Sequence, residues 1–208
     1  MKVLLVNGSP HEKGCTYTAL DEVAGALEKQ GIETEIFNIG AKPVSGCLGC
    51  SSCMKTGQCF IDDSVNEFLS KAAEADGFVF GSPVHFASAT GTLTSFMDRA
   101  FSANRWSGKL PFKPVAAVVS ARRGGTTATF DQINKYFTIS NMPIVSSQYW
   151  NMVHGNTPEE VQQDLEGMQT LRTLGNNMAW LLKSIEAGKA AGLALPEKEA
   201  PVMTNFIR

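Results

Sequence analysis

Apolar residues run almost unbroken through KVLLVN at residues 2–7, and the run stops at Gly8-Ser9-Pro10. From residue 16 to 29 the apolar positions Leu20, Val23, Ala24 and Leu27 recur at the helical interval instead. The pattern predicts a strand, a loop and a helix closed by Gly31. Residues 33–39 alternate as a second strand, and 77–81 and 115–119 are further apolar runs of strand length. A fifth strand is expected near residues 144–147. Helices are predicted over 65–75, from about Gly91 through Leu93, Phe96, Met97 and Ala100, around 130–137, and from Pro158 to about Ala187. Ser64 is the expected N-cap of the helix over 65–75, with Glu67 in the capping-box position. Ser88 and Thr90 are candidate caps for the helix after them.

Strands alternating with helices predict an α/β fold, because parallel strands need crossover connections that are usually helical. Five strands in this rhythm give a doubly wound parallel sheet of order 2-1-3-4-5. Ligands of such sheets sit beyond the carboxyl ends of the strands. The loops at Gly8, Ser82 and Ser120 all follow strands, so they are expected to meet there. One domain is predicted over residues 1–190, with a cysteine-rich loop at 46–60 and a loosely structured tail over 191–208.

Composition narrows the function. The 208 residues are 43% hydrophobic and 18% charged with a formal net charge of -2, which lacks the basic excess of a nucleic-acid binder. No stretch approaches the roughly 20 apolar residues that span a bilayer. The chain opens on strand-like sequence rather than a charged leader and apolar run, so a cytoplasmic location is expected.

The first loop, GSPHEKGCT, leads into a helix N-terminus, where unpaired N–H groups and the helix dipole favour a phosphate. It is not a P-loop, because Cys15 stands where GxxxxGK[ST] needs lysine, and GxGxxG is absent. VNGSPHEKGCT, FGSPVHFASATGTLTSFMDRAF and VSARRGG, in this order, resemble the NADPH-dependent FMN reductase branch of the flavodoxin superfamily over roughly residues 1 to 150. The resemblance implies a flavodoxin-like fold and one non-covalent FMN. It places the phosphate on Ser9, His11, Lys13, Gly14, Cys15 and Thr16, with cysteine at position 15 where many relatives have asparagine. It places the isoalloxazine against Pro83, Val84, His85, Phe86 and Ala87. Ser120, Ala121, Arg122, Gly124 and Gly125 follow the fourth strand, where two glycines let backbone N–H groups approach the ring closely and Arg122 is the candidate donor to its N1 and O2 edge, a solvated loop arginine being the alternative. His85 stands where relatives often have tyrosine, and a structural turn histidine is the alternative. Hydride transfer to flavin needs no catalytic side chain, since the ring carries the chemistry, and none is assigned.

Four of the five cysteines, Cys47, Cys50, Cys53 and Cys59, fall in one C-x2-C-x2-C-x5-C run. That spacing is close to the compact runs that ligate iron-sulfur clusters. The stretch is similar to the motif of iron-sulfur flavoproteins, a sister branch that carries a 4Fe-4S cluster beside FMN. Free thiols and a zinc site remain the alternatives. The leading expectation is an FMN-dependent NAD(P)H oxidoreductase passing electrons to a flavin, quinone or similar small acceptor. The second is an electron carrier in which the cluster exchanges electrons with FMN and a redox carrier protein. A homo-oligomer, dimer or tetramer, is expected because Phe86, Phe96, Phe101, Trp106 and Trp150 exceed what a five-stranded monomer readily buries.

Overall fold

The computed structural model describes residues 1–197, 199, 200, 202 and 204. Strands β1 (Lys2–Asn7), β2 (Glu33–Asn38), β3 (Gly77–Pro83), β4 (Val115–Ala121) and β5 (Met152–His154) form one parallel sheet, ordered β2-β1-β3-β4-β5. This is the expected flavodoxin-like, doubly wound arrangement. Its helices are α1 (Cys15–Lys29), α2 (Cys53–Thr56), α3 (Ser64–Glu74), α4 (Gly91–Ser107), α5 (Thr126–Ile139), α6 (Pro158–Gln163) and α7 (Leu165–Ala190).

β1, β3 and β4 are buried along nearly their whole length, which is why they read as continuous apolar runs. On one face Leu4, Val6, Phe78, Phe80, Ala117 and Val119 pack with residues of α3, α4 and α5. Phe68 of α3 centres that layer, with its ring 5.3 to 6.1 Å from Phe37, Phe78, Phe80 and Phe96. On the other face Val3, Leu5, Val79, Ala116 and Val118 pack with α1 and α7. β2 is an edge strand, and Glu35 on it pairs with Lys2 and Lys71 at 2.7 and 2.8 Å.

Several boundaries differ from the sequence pattern. The fifth strand is not at 144–147: Ile144 makes one isolated bridge to Val115, and pairing resumes only at Met152. The intervening polar segment is anchored by buried Asn151, whose Nδ2 donates to Ala117 O at 3.1 Å while its Oδ1 accepts from Ser147 Oγ at 2.7 Å. The long last helix breaks at Asp164, whose carboxylate accepts from Gly167 N at 2.9 Å and caps α7. Asp63, not Ser64, caps α3, accepting from Val65 N at 3.0 Å. Phe96 and Phe101 are 0% and 7% exposed, so the monomer core does bury them.

No helix among the described residues is long and apolar enough to cross a membrane. Beyond α7, Leu193 N donates to Gly188 O at 2.9 Å. The expected loose tail falls partly outside the described residues, at 198, 201, 203 and 205–208.

Candidate functional site

Asn7 ends β1 fully buried and organises the first loop. Its Nδ2 donates to Asn38 Oδ1 at 2.8 Å and Glu12 O at 3.2 Å, and its Oδ1 accepts from Ser9 N at 3.1 Å. Ser9 Oγ in turn accepts from His11 N at 3.1 Å, which curls the loop back toward the start of α1. His11 and Lys13 are exposed on its rim, and Gly14 is the α1 N-cap with no side-chain cap bond. Cys15 is half-buried, its Sγ 3.8 Å from Gly155 O, and burial pushes its thiol up. Thr16 is 1% exposed, and its Oγ1 lies 2.8 Å from Ser120 Oγ. That contact ties the first loop to the loop after β4.

The two ring loops are fastened to each other and to the first. Gly8 N donates to Gly81 O at 2.9 Å, and Thr90 Oγ1 donates to Gly8 O at 2.9 Å. Val84 N donates to Ser120 O at 2.9 Å. His85 and Ser88 close a two-residue turn through reciprocal backbone bonds of 2.9 and 3.0 Å, leaving Phe86 and Ala87 at φ of 52° and 58°. Gln132 Oε1 holds this turn, accepting from Ser88 Oγ at 2.8 Å and Ala89 N at 2.9 Å. Gly125, with φ of 95°, lets α5 press against it, since a Cβ there would stand 2.9 Å from Ala87 Cα. Ala121 is buried, while His85, Phe86, Ala87, Arg122 and Gly124 face solvent around the mouth, and Pro83 and Val84 are half-buried. The three loops expected to converge do so.

The four cysteines lie elsewhere. Cys47, Cys50, Cys53 and Cys59 line one open pocket with Phe60, Ile61, Arg99 and Ser102. None of the four is paired in a disulfide. Burial pushes the Cys53 thiol up, reinforced by charge on Cys47, Cys59 and Cys50, while the Ser52 backbone N–H and hydroxyl pull Cys50 down. Cys59 Sγ accepts from Arg99 Nε at 3.2 Å. Among the described residues no three His, Cys, Asp or Glu side chains converge on a single-ion position. The cavity stands against the second half of α4 rather than over the strand ends. α4 starts beside the flavin loops and runs back along the sheet, putting Arg99 about 14 Å beyond its Thr90 cap at about 1.5 Å per residue.

The NADPH-dependent FMN reductase family model matches residues 1–157. An iron-sulfur flavoprotein of Methanocaldococcus jannaschii is 35% identical over 193 residues, covering 89% of this chain and 100% of its own. The chain belongs to the NADPH-dependent FMN reductase family, in its iron-sulfur flavoprotein branch. A second iron-sulfur flavoprotein, from Archaeoglobus fulgidus, is 28% identical over 195 residues, 87% of this chain and 97% of its own. Among solved structures, the WrbA-like flavodoxin of Agrobacterium tumefaciens superposes with a TM-score of 0.62 at 17% identity, over 88% of this chain and 96% of its own, which shows the fold.

As a member of the FMN reductase family the chain is an FMN-dependent oxidoreductase, and its donor set fits that cofactor. α3, α4, α6 and α7 are capped by Asp63, Thr90, Thr157 and Asp164, whereas α1, α5 and the one-turn α2 begin with no side-chain cap, and of these α1 and α5 follow strands of the sheet. Both open ends lie beyond the carboxyl ends of β1 and β4. Their unpaired N–H groups and dipoles suit a phosphate at α1 and the electron-rich edge of the ring at α5. Sequence reasoning missed Asn7, Gln132 and Arg99. For Asn7 the signal was a polar residue closing an apolar strand; Gln132 lies outside the quoted motifs, and Arg99, at the end of the second one, gave no signal linking it to the cysteines.

Proposed function

We propose that this FMN-dependent oxidoreductase takes electrons from NAD(P)H and passes them through a 4Fe-4S cluster on Cys47, Cys50, Cys53 and Cys59 to a redox carrier protein. The observation that carries the reading is the lining of one cavity by all four thiols of the motif. The donor set is soft and gathered on one pocket, and its compact spacing suits a multi-iron body. The relatives named iron-sulfur flavoproteins support it. When bound, the cluster supplies one-electron exchange, which complements the two-electron chemistry of flavin. The chain's residues do the rest: the open ends of α1 and α5 bind and orient FMN, Asn7 and Thr16 fix the loops that carry them, and the cavity wall holds the thiols.

A second reading, reduction of a small flavin, quinone or similar acceptor directly at the ring, is favoured by the open mouth. His85, Phe86 and Arg122 stand exposed there and leave the ring edge reachable. The FMN-dependent NADPH-azoreductase of Staphylococcus saprophyticus, 33% identical over 104 residues, is in keeping with it.

Anaerobic reconstitution with iron and sulfide separates the two. Expected are equal amounts of iron and sulfide retained with FMN, and their loss in a Cys50→Ser variant that keeps FMN. Protein that binds FMN but retains neither iron nor sulfide is a flavin-only reductase.

A further inference from the structure

Arg99 is the largest fully buried side chain among the described residues, 2% exposed in a helix whose other buried face is mainly apolar. Burying a guanidinium is costly unless every N–H is matched and its charge is compensated. Here all five donors are used. Nε donates to Cys59 Sγ at 3.2 Å, Nη1 to Asp63 Oδ2 at 2.6 Å and Ser45 O at 3.4 Å, and Nη2 to Ile61 O at 2.8 Å and Asp63 Oδ1 at 2.9 Å. Burial alone would raise the Asp63 carboxyl, but the guanidinium holds it below the usual carboxylate range, so the pair is ionised and formally neutral.

Every one of those acceptors belongs to the segment that carries the four cysteines. Ser45 lies just before Cys47, and Cys59, Ile61 and Asp63 end the loop. One side chain on α4 therefore closes both ends of the loop onto the helix. Four of its five bonds would suffice for that. The fifth aims a charged donor at sulfur, a poor acceptor as a neutral thiol and a good one as a thiolate.

We propose that Arg99 is a positioning residue of the four-thiol site, holding the Cys59 sulfur at the cavity wall and raising the reduction potential of the iron-sulfur group through its N–H···S bond. This rests on the cluster reading given above. On reduction one electron enters from reduced flavin, no covalent bond forms or breaks, and the guanidinium keeps its protons. The added negative charge falls partly on the ligand sulfurs, so a donor already pointed at one of them stabilises the reduced state more than the oxidised one.

Two substitutions move the potential in opposite directions. Arg99→Lys keeps the charge but loses the planar fork, and one ammonium cannot reach carboxylate, carbonyls and sulfur together. It is expected to disfavour reduction about tenfold, roughly the strength of one charge-assisted hydrogen bond, which is a shift of about 59 mV to more negative potential for one electron. Asp63→Asn keeps the α3 cap acceptor and leaves Arg99 uncompensated, so it is expected to shift the potential positive. Anaerobic dithionite titration of reconstituted protein, followed by absorption and EPR, reads both. If Arg99→Lys does not fold with FMN bound, the Asp63→Asn shift decides alone.

A second readout uses metal-free protein. Iodoacetamide labelling with peptide mapping in mild alkali, where thiolate content no longer limits the rate and access does, is expected to modify Cys59 more slowly than exposed Cys47 and Cys50, and Arg99→Lys to speed Cys59 severalfold with little change at the other two. Unshifted potentials in both variants overturn the tuning role, and an unchanged Cys59 rate overturns the positioning role. If the unsubstituted protein takes up no iron and sulfide, the cluster reading and the tuning role fall together, and the labelling alone decides whether Arg99 holds Cys59.

Discussion

Phe86 and Ala87 occupy the two central positions of the tight turn closed by His85 and Ser88, both with positive φ. Such turns favour Asn-Gly, since a bulky side chain in the left-handed region is strained. The strain, about 1 kcal/mol or more per residue, is borne at a loop that faces the flavin mouth, with the Phe86 ring standing fully in solvent. Replacing the pair by Asn-Gly is expected to stabilise FMN-free protein by about 1–2 kcal/mol in urea unfolding while weakening FMN binding. Titration of apoprotein with FMN checks the second half. An unchanged affinity would remove Phe86 from the ring site.

At the level of the element, α1 and α5 are open at their N-termini while four other helices are capped by their own side chains. Both N-caps are glycines, Gly14 and Gly125, so leaving these ends without a side-chain cap costs only about 0.3 kcal/mol per helix, which a bound anion or ring edge recovers. Gly14 is extended, at φ of -92°, so a side chain is tolerated there apart from a 3.0 Å approach to His11 Cβ. Gly14→Asp supplies both a cap and a negative charge where the phosphate is expected. Apoprotein stability should change by no more than about 0.5 kcal/mol, because Gly itself caps nearly as well. FMN affinity should fall at least about tenfold from competition and repulsion at the helix end, measured by fluorescence titration. Equal affinity in the variant would place the phosphate elsewhere.

At the scale of the whole molecule, several large apolar side chains stand in solvent. Phe86, Tyr149 and Trp150 are exposed, the last two with rings 4.9 Å apart, as are Leu48 and Phe60 beside the cysteines and Trp106 at the end of α4. Large apolar groups at both the flavin mouth and the thiol cavity are in keeping with contacts between copies of the chain. Within one chain the cavity lies about 14 Å down α4 from the flavin loops, so a second copy also offers another ring for the thiol site to face. Sedimentation velocity at micromolar concentration is expected to give a dimer or tetramer, and a Trp150→Lys variant a smaller species. A monomer at all concentrations would mean that these side chains remain in solvent.

The order of the sheet, the three converging loops and the four-cysteine run were legible in the chain because each rests on local signals. Buried parallel strands need continuous apolar runs, phosphate loops need small residues before a helix, and thiol sites need short spacings. What the sequence left open depended on partners distant in the chain. The fifth strand moved to Met152–His154 because buried Asn151 answers a carbonyl of β4, and Asp63 displaced Ser64 as a cap in a setting where Arg99 binds its carboxylate. Arg99 itself lies 40 residues from Cys59 in the chain, and nothing near it marks it as part of that site. Only the packing of α4 beneath the cysteine loop decided that a buried cation would face a sulfur, since a charge can be buried only where the whole fold supplies its acceptors.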